Sequence, residues 1–320
     1  MRPRKGVSGM QRQYEVIDYA GTNFTFKMGT TAYVPPHIHF EIEVGVIVDG
    51  LMRIRYPGIE HIVRPGDLFL ANSCQCHECF GAGETSTYTY VELQISPAFF
   101  RAYYPLIDST SFTPLLLNDV AIGVEHRRAL AAELLGISEL FFRKGERYGL
   151  QCAGRIDLLF DHMLACVPHR VLDEQEQKAA DQRNARVVRI ASFIEANADQ
   201  KLLLKDVAER EGLTMTYLSH FFHENFGMAF QEYVLRLRCR RALELLATTD
   251  MTVTDVAMVS GFSAIRYLRE GFTRIYGRTP EAWRAEARGR DKPHAALYTD
   301  KESVETLQQI QDALQDEFAR

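Results

Sequence analysis

Four residues in the N-terminal quarter have the types and the spacing of a metal or polar-ligand site: His37, His39 and Glu43, with His77 further along the chain. Successive side chains of a strand point to opposite faces, so His37 and His39 share a face, and Glu43, four residues beyond His39, shares it too. His77 would reach the same region from a later strand, past a turn at Pro65-Gly66. Three imidazoles and a carboxylate form a donor set suited to Mn, Fe, Ni or Zn. Parity alone does not make this face the interior. If it is buried, a carboxylate without a partner beside imidazoles is costly, and a cation or a polar ligand relieves that cost. The residues leave three readings open: a small-molecule effector pocket without metal, a metal-assisted pocket, and a structural cluster. A neighbouring run, Cys74-x-Cys76-His77-x-Cys79, has the donor types of a structural zinc set. On a strand these side chains alternate faces and do not all reach one ion, so the run reads as incidental cysteines or as a redox or metal sensor.

A different chemistry is suggested by repetition in the C-terminal third. Ala208 and Gly212 recur 49 residues later as Ala257 and Gly261, and Leu218, Phe222, Gly227 and Tyr233 recur 50 residues later as Leu268, Phe272, Gly277 and Trp283. Each copy reads as a helix-turn-helix. The alanine allows two helices to cross closely, the glycine takes the turn, and Leu218, Phe221 and Phe222 face inward on the second helix. That leaves Thr216, Ser219 and His220 outward in the first copy, and Ile265, Arg266 and Arg269 outward in the second. Between the copies, Gln231 to Leu246 forms a long helix with Arg236, Arg238, Arg240 and Arg241. Arginine meets guanine O6 and N7 with two donors, Ser, Thr and His donate to bases or phosphates, and Ile265 suits a thymine methyl.

The elements that would hold these groups follow from patterning. From residue 14 to 96, short β-rich runs (Val44 to Val48, Leu51 to Tyr56, Asp67 to Ala71, Thr87 to Ile95) alternate with Gly, Pro, Asp and Asn, which suggests a β-barrel or sandwich. Beyond Pro97 the period becomes helical. His126 to Phe142 and Gly149 to Val167 should pair as an antiparallel hairpin whose wide apolar faces serve either the core or a homodimer interface. Val171 to Gln182 is polar enough for a linker, and Val304, Leu307, Ile310, Leu314 and Phe318 sit at helical spacing in the tail. The expected class is α+β, with a sensing and dimerisation domain over 1–168, a linker over 169–182, a helical domain over 183–290 and an extension over 291–320.

Composition agrees. A chain of 320 residues with 46% hydrophobic and 25% charged residues fits two soluble domains. No apolar run is long enough to span a bilayer and the first residues lack an apolar signal core, so a cytoplasmic protein with six reduced cysteines is expected. The net charge of −5 is unevenly shared: Arg183 to Arg290 holds 17 Lys/Arg against 13 Asp/Glu, a net of +4, and the remainder is −9. A basic segment joined to an acidic one is the pattern of a DNA reader with a separate sensing domain.

Residues Arg183 to Arg288 resemble the DNA-binding region of the AraC/XylS regulators, most closely in DVAMVSGFS and FTRIYGRTPEAWR. The resemblance implies two helix-turn-helix units held by the linker helix, each placing its second helix in the major groove of double-stranded DNA. It carries base or phosphate contacts to Thr216, Ser219, His220, Arg238, Ile265, Arg266, Arg269 and Arg274. This chain departs from the family at Glu270, whose carboxylate must accept from cytosine or pair with Arg266 or Arg274 to avoid phosphate repulsion. His37-x-His39-x-x-x-Glu43, Gly50, Pro65-Gly66-Asp67 and His77 resemble the two cupin motifs, which implies a small barrel whose interior holds the four donors; no cofactor is expected there, with a divalent metal as the alternative. The resulting expectation is a non-enzymatic transcription regulator controlled by a small effector, a sugar first among them, with RNA polymerase as a possible partner. The rivals are a metal-dependent cupin enzyme and a metal or redox sensor.

Overall fold

A computed structural model describes residues 22–82, 87–113, 115–289, 295–297, 299–307 and 310. Seven strands come first: β1 (Phe24–Thr31), β2 (Tyr33–His37), β3 (Ile42–Tyr56), β4 (Ile59–Val63), β5 (Leu68–Ala71), β6 (His77–Ala82) and β7 (Tyr88–Ile95). Two short strands, β8 (Thr110–Phe112) and β9 (Leu116–Leu117), lead into α1 (Asp119–Ile122), α2 (Val124–Arg143) and α3 (Tyr148–Cys166). A main sheet has the order β11-β1-β7-β3-β5-β9, where β11 is the late strand Ala295–Leu297; β4 and β6 join it through β3, and β2 through β6. All the pairings are antiparallel.

The two runs expected as separate strands, Val44 to Val48 and Leu51 to Tyr56, are one strand, β3. Its first half pairs with β7 and β5, its second with β4 and β6, and the register slips between Ile47 and Asp49. Gly50 marks the bend: its φ is +75° and an added Cβ would lie 2.4 Å from the Thr87 carbonyl oxygen. The Asp-Gly pair thus bends a continuous strand around the core and makes no hairpin. Residues 14–21, assigned to strand from sequence, lie outside the described residues.

The helical hairpin forms as expected, but most of its apolar surface faces the sheet. Leu130, Leu134 and Ile137 of α2 and Ile156, Leu159 and Met163 of α3 share one core with Phe24, Val44, Leu68 and Leu93. Packing on the sheet accounts for the width of those faces; Leu150 (76% exposed) and Leu158 (67%) of α3 remain outside.

The linker expectation is corrected. β10 (His169–Val171) pairs with β8, and α4 (Glu174–Asn197) begins at once. Asp173 accepts from the Glu176 N–H while Glu176 accepts from the Asp173 N–H, a capping box that starts a helix. The polar run after it is the solvated face of that helix, with Ala180 buried. Its C-terminal half belongs to the next domain, which continues with α5 (Leu204–Glu211), α6 (Met215–Phe226), α7 (Phe230–Thr248), α8 (Val253–Val259), α9 (Ile265–Tyr276) and α10 (Pro280–Gly289). Two cores divide it. Val187, Ile190, Val207, Leu218, Phe222, Tyr233 and Leu237 form the first, and Cys239, Ala242, Val256, Leu268, Phe272 and Trp283 form the second. Helix α7 runs through both and fixes one unit against the other.

The tail returns to the first domain. β11 extends the sheet along β1, pairing Thr31 with Ala295, and 300–307 is helical. Leu307 is fully buried in the sheet-domain core with Val304 and Ile310 against it. Leu314 and Phe318 lie outside the described residues.

Candidate functional sites: an outward helix face and a buried histidine cluster

The repeat folds as two helix-turn-helix units. Gly212 (φ +66°) and Gly261 (φ +88°) take left-handed turns after α5 and α8, and at Gly261 a Cβ would come 2.5 Å from the Ala198 carbonyl oxygen. Thr214 caps α6 by accepting from the Tyr217 N–H. Inside α9, Gly271 lets the helix close on Leu235 and Cys239 of α7.

On α6, Thr216, Ser219 and His220 are exposed on one face, as assigned; on α9, so are Arg266 and Arg269. Ile265 is only half-exposed and packs against the second core. Glu270 lies 3.9 Å from Arg266, and Arg269 places Nε and Nη2 on Glu281 at 2.9 and 2.7 Å. Such exposed pairs hold weakly and open to a phosphate or base at small cost. Arg274 pairs with Glu232 at the base of the helix.

Arg238 does not belong to this face. It donates from Nε to the Ala198 carbonyl and from Nη2 to the Gln200 carbonyl, both at 2.7 Å. Its half-buried guanidinium tethers the loop after α4 to α7, which favours a structural role over the phosphate contact assigned to it. Two residues missed in the sequence are Tyr217 and Tyr267, 49% and 45% exposed beside the reading positions. They are fifty residues apart, so the repeat itself marked them; an aromatic at each reading helix reads as core only until burial is known. Tyr267 accepts from Arg266 at 2.8 Å.

In the sheet domain, His37, His39, Glu43 and His77 come together, each buried, with ligand atoms within 4.8 Å of one another. β2 and β6 place His37 opposite His77, and β3 supplies Glu43. Each histidine donates from Nδ1 to a backbone carbonyl: His37 to Pro35 at 2.9 Å, His39 to Glu41 at 3.1 Å, His77 to Gln75 at 3.0 Å. A carbonyl only accepts, so each ring holds a proton on Nδ1 and turns its Nε2 inward, as a lone pair wherever the ring is neutral. His39 Nε2 lies 3.1 Å from Glu43 Oε2, and His77 Nε2 lies 3.5 Å from Oε1 without a hydrogen bond. Gln94 donates to Glu43 Oε2 at 2.9 Å and fixes the carboxylate. Burial works to raise the Glu43 carboxyl, but His77 and His39 hold it well below the usual range. Burial, together with His77 and His39, keeps His37 neutral by holding it well below an ordinary histidine. Lone pairs facing a carboxylate at these distances need a cation between them, either a proton or a metal ion. The cavity beside Glu43 and His37 is about 30 Å³, room for an ion or a water and too small for a sugar.

The cysteine run does not assemble. Cys76 packs in the first helical core and Cys79 in the sheet-domain core. Burial raises both thiols, and pushes Cys74 up to about 11. Raised thiols on opposite faces make neither a zinc set nor a reactive redox pair.

Two family profiles match the chain: the AraC-like ligand binding domain over residues 23–179 and a helix-turn-helix domain over 207–286. Together they span both domains just described. The chain belongs to the AraC family of transcription regulators. The uncharacterized HTH-type transcriptional regulator YdeC of Bacillus subtilis is 24% identical over 269 residues, 81% of this chain and 89% of that one. The HTH-type transcriptional activator RhaR of Klebsiella pneumoniae is 30% identical over 132 residues, 41% of this chain and 47% of RhaR. Relatives in Staphylococcus aureus are longer, and the match spans 31% of their length. Among solved structures, ToxT of Vibrio cholerae is 14% identical with a TM-score of 0.49, over 82% of this chain and 98% of ToxT.

In this AraC-family regulator the histidine cluster touches the DNA-binding domain through its own neighbours in sequence. Ile38, between His37 and His39, and Cys76, next to His77, are buried in the core formed by Ile190, Phe222, Phe226 and Tyr233. Beside them Glu78 of β6, 1% exposed, accepts from Tyr33 Oη at 2.6 Å, from Arg55 at 3.3 Å and from Arg236 of α7. Sequence reading assigned no role to Glu78; only the fold shows that an Arg of the linker helix faces it. A cleft of about 800 Å³ lies alongside, between the sheet domain and α4 and α6, with Arg101, Gln177, Arg183 and Asn225 on its walls. Among the described residues no helix is long and apolar enough to cross a membrane.

Proposed function

We propose that this regulator reads double-stranded DNA with α6 and α9 and takes its signal as a divalent first-row transition metal at His37, His39, Glu43 and His77. The observation that carries the reading is the convergence of three inward Nε2 atoms, each set by an Nδ1–H to a carbonyl, on an ionised buried carboxylate. That is the tautomer a metal requires, with its outer hydrogen bonds already made. A bound ion would supply charge neutralisation and a fixed geometry for β2 and β6. Since Ile38 and Cys76 sit on the same two stretches, ordering the ligands orders the contact with the first helix-turn-helix unit. The reading is of a cytoplasmic regulator, without catalysis, acting as a homodimer and touching RNA polymerase when bound.

A small organic effector is favoured by a separate observation, the cleft between the domains, whose size and polar walls suit a metabolite where the barrel interior does not. Metal analysis separates the two. Chelator-treated full-length protein, dialysed against Mn, Fe(II), Ni or Zn, should bind one ion fewer per chain as His39→Ala than as wild type. Equal stoichiometry in the two proteins refutes the metal reading and leaves the cleft.

A further inference from the structure

A second cluster of ligand-type side chains lies away from both sites, on the outer surface of the helical hairpin. His126 stands in the first turn of α2, and the antiparallel packing brings it to the C-terminal end of α3, where His162 and Cys166 lie one helical turn apart. Ligand atoms of the three are within 4.8 Å of one another. His126 Nδ1 and His162 Nε2 are 3.0 Å apart, and Glu133 Oε2 of α2 lies 3.7 Å from His162 Nδ1. Two nitrogens at that distance share one proton, so one of them is an acceptor whose lone pair a metal ion could take in place of that proton. The carboxylate behind His162 favours a proton on its Nδ1 and turns its Nε2 toward His126, the arrangement that supports a ligating imidazole. Cys166 is a free thiol, half-exposed, at the same end. Burial raises it above an ordinary cysteine, so it stands as the thiol until a thiophilic cation displaces its proton.

We propose that His126, His162 and Cys166 form a surface site for a thiophilic divalent cation of the zinc class, with water or Glu133 as the fourth donor. Two imidazoles and a thiolate select Zn, Co(II) or Cd over Mg and Ca. Tetrahedral Zn–N bonds of about 2.0–2.1 Å set two ligand nitrogens about 3.3 Å apart, so the two rings open slightly from their 3.0 Å contact to admit the ion. His126 is exposed and His162 and Cys166 are half-exposed, so rotamer changes suffice. On binding, the Cys166 Sγ–H proton goes to solvent and the proton between the rings moves to the far nitrogen of His126, so that each imidazole stays neutral as two metal–nitrogen bonds and one metal–sulfur bond form. The site clamps the start of α2 to the end of α3, beside exposed Leu158. It is independent of the barrel cluster, which contains no sulfur.

That difference supplies the test. Full-length protein, freed of metal by chelation and kept reduced with a phosphine, is titrated with Co(II). The expected result is a sulfur-to-cobalt charge-transfer band in the near ultraviolet that saturates, persists in His39→Ala and Cys74→Ser, and disappears in Cys166→Ser. His126→Ala should weaken the band's apparent affinity by at least about 10–100-fold, the range lost when even an outer hydrogen-bond partner of a ligand is removed. These residues lie on the surface, and unchanged circular dichroism verifies that the variants fold. Absence of the band in the wild type, or its persistence in Cys166→Ser, overturns the proposal whatever the barrel cluster binds.

Discussion

Among the described residues, the Glu78–Arg236 pair is the one charged contact that joins the strand carrying His77 to the helix between the two DNA-reading units, and its removal has a calculable effect. The side chains are 2% and 12% exposed, so neither charge is well hydrated. Truncating one member of a buried pair typically costs about 3–5 kcal/mol because the other charge stays buried. Glu78 keeps Tyr33 at 2.6 Å and Arg55 at 3.3 Å when Arg236 is lost, which places Arg236→Ala near about 3 kcal/mol. For a chain of this size that corresponds to a fall in Tm of about 6–12 °C. In a Glu78→Gln background there is no charge to strand, and Arg236→Ala should then cost about 1 kcal/mol, the value of an ordinary hydrogen bond. Thermal melts of the four proteins of this cycle, followed by circular dichroism, give the coupling directly. A coupling below about 0.5 kcal/mol, the scatter of independent sites, would refute the claim that the domains are joined through this pair.

Three further outcomes follow from the assigned roles. Arg266→Ala should cost about 1–3 kcal/mol on the preferred DNA site and much less on random DNA; equal losses on both in anisotropy titrations remove Arg266 from base reading. Arg238→Ala should leave the salt dependence of DNA binding unchanged while lowering stability by about 1–3 kcal/mol, since it frees two backbone carbonyls; a shallower salt slope would return Arg238 to the phosphates. Leu307→Ala should destabilise the sheet domain by about 2–5 kcal/mol, and an unchanged melt would show that the tail does not belong to that core.

What could be read from the chain and what could not divides along physical lines. The helix-turn-helix pair was legible because identical packing demands recur: a small residue where helices cross, a glycine at a left-handed turn, and aromatics on the inner face, at a fixed interval. The histidine cluster was legible as a set of types, but strand parity left its facing open; burial and three carbonyl acceptors settle it. Two errors have one origin, the reading of polarity as solvent. Val171 to Gln182 was taken as linker, yet Asp173 and Glu176 cap a helix whose outer face must be polar. Arg238 was taken for a phosphate contact, yet two of its donors are held by the carbonyls of Ala198 and Gln200. Glu78 and Arg236 stand 158 residues apart in sequence, and nothing local announces their meeting. The Asp49-Gly50 pair was read as a break between two strands, and only the neighbouring Thr87 carbonyl shows that it bends one.

The central claim, that the state of the histidine cluster governs DNA reading, is tested most directly by measuring affinity for a DNA site selected from a random pool, with and without metal. Chelator-treated wild-type protein should change its affinity on addition of the bound metal by about 5–150-fold, the usual range of coupling between sites. His39→Ala, folded and still binding DNA, should show no change. A wild-type affinity indifferent to metal, or a response that survives in His39→Ala, would contradict the account.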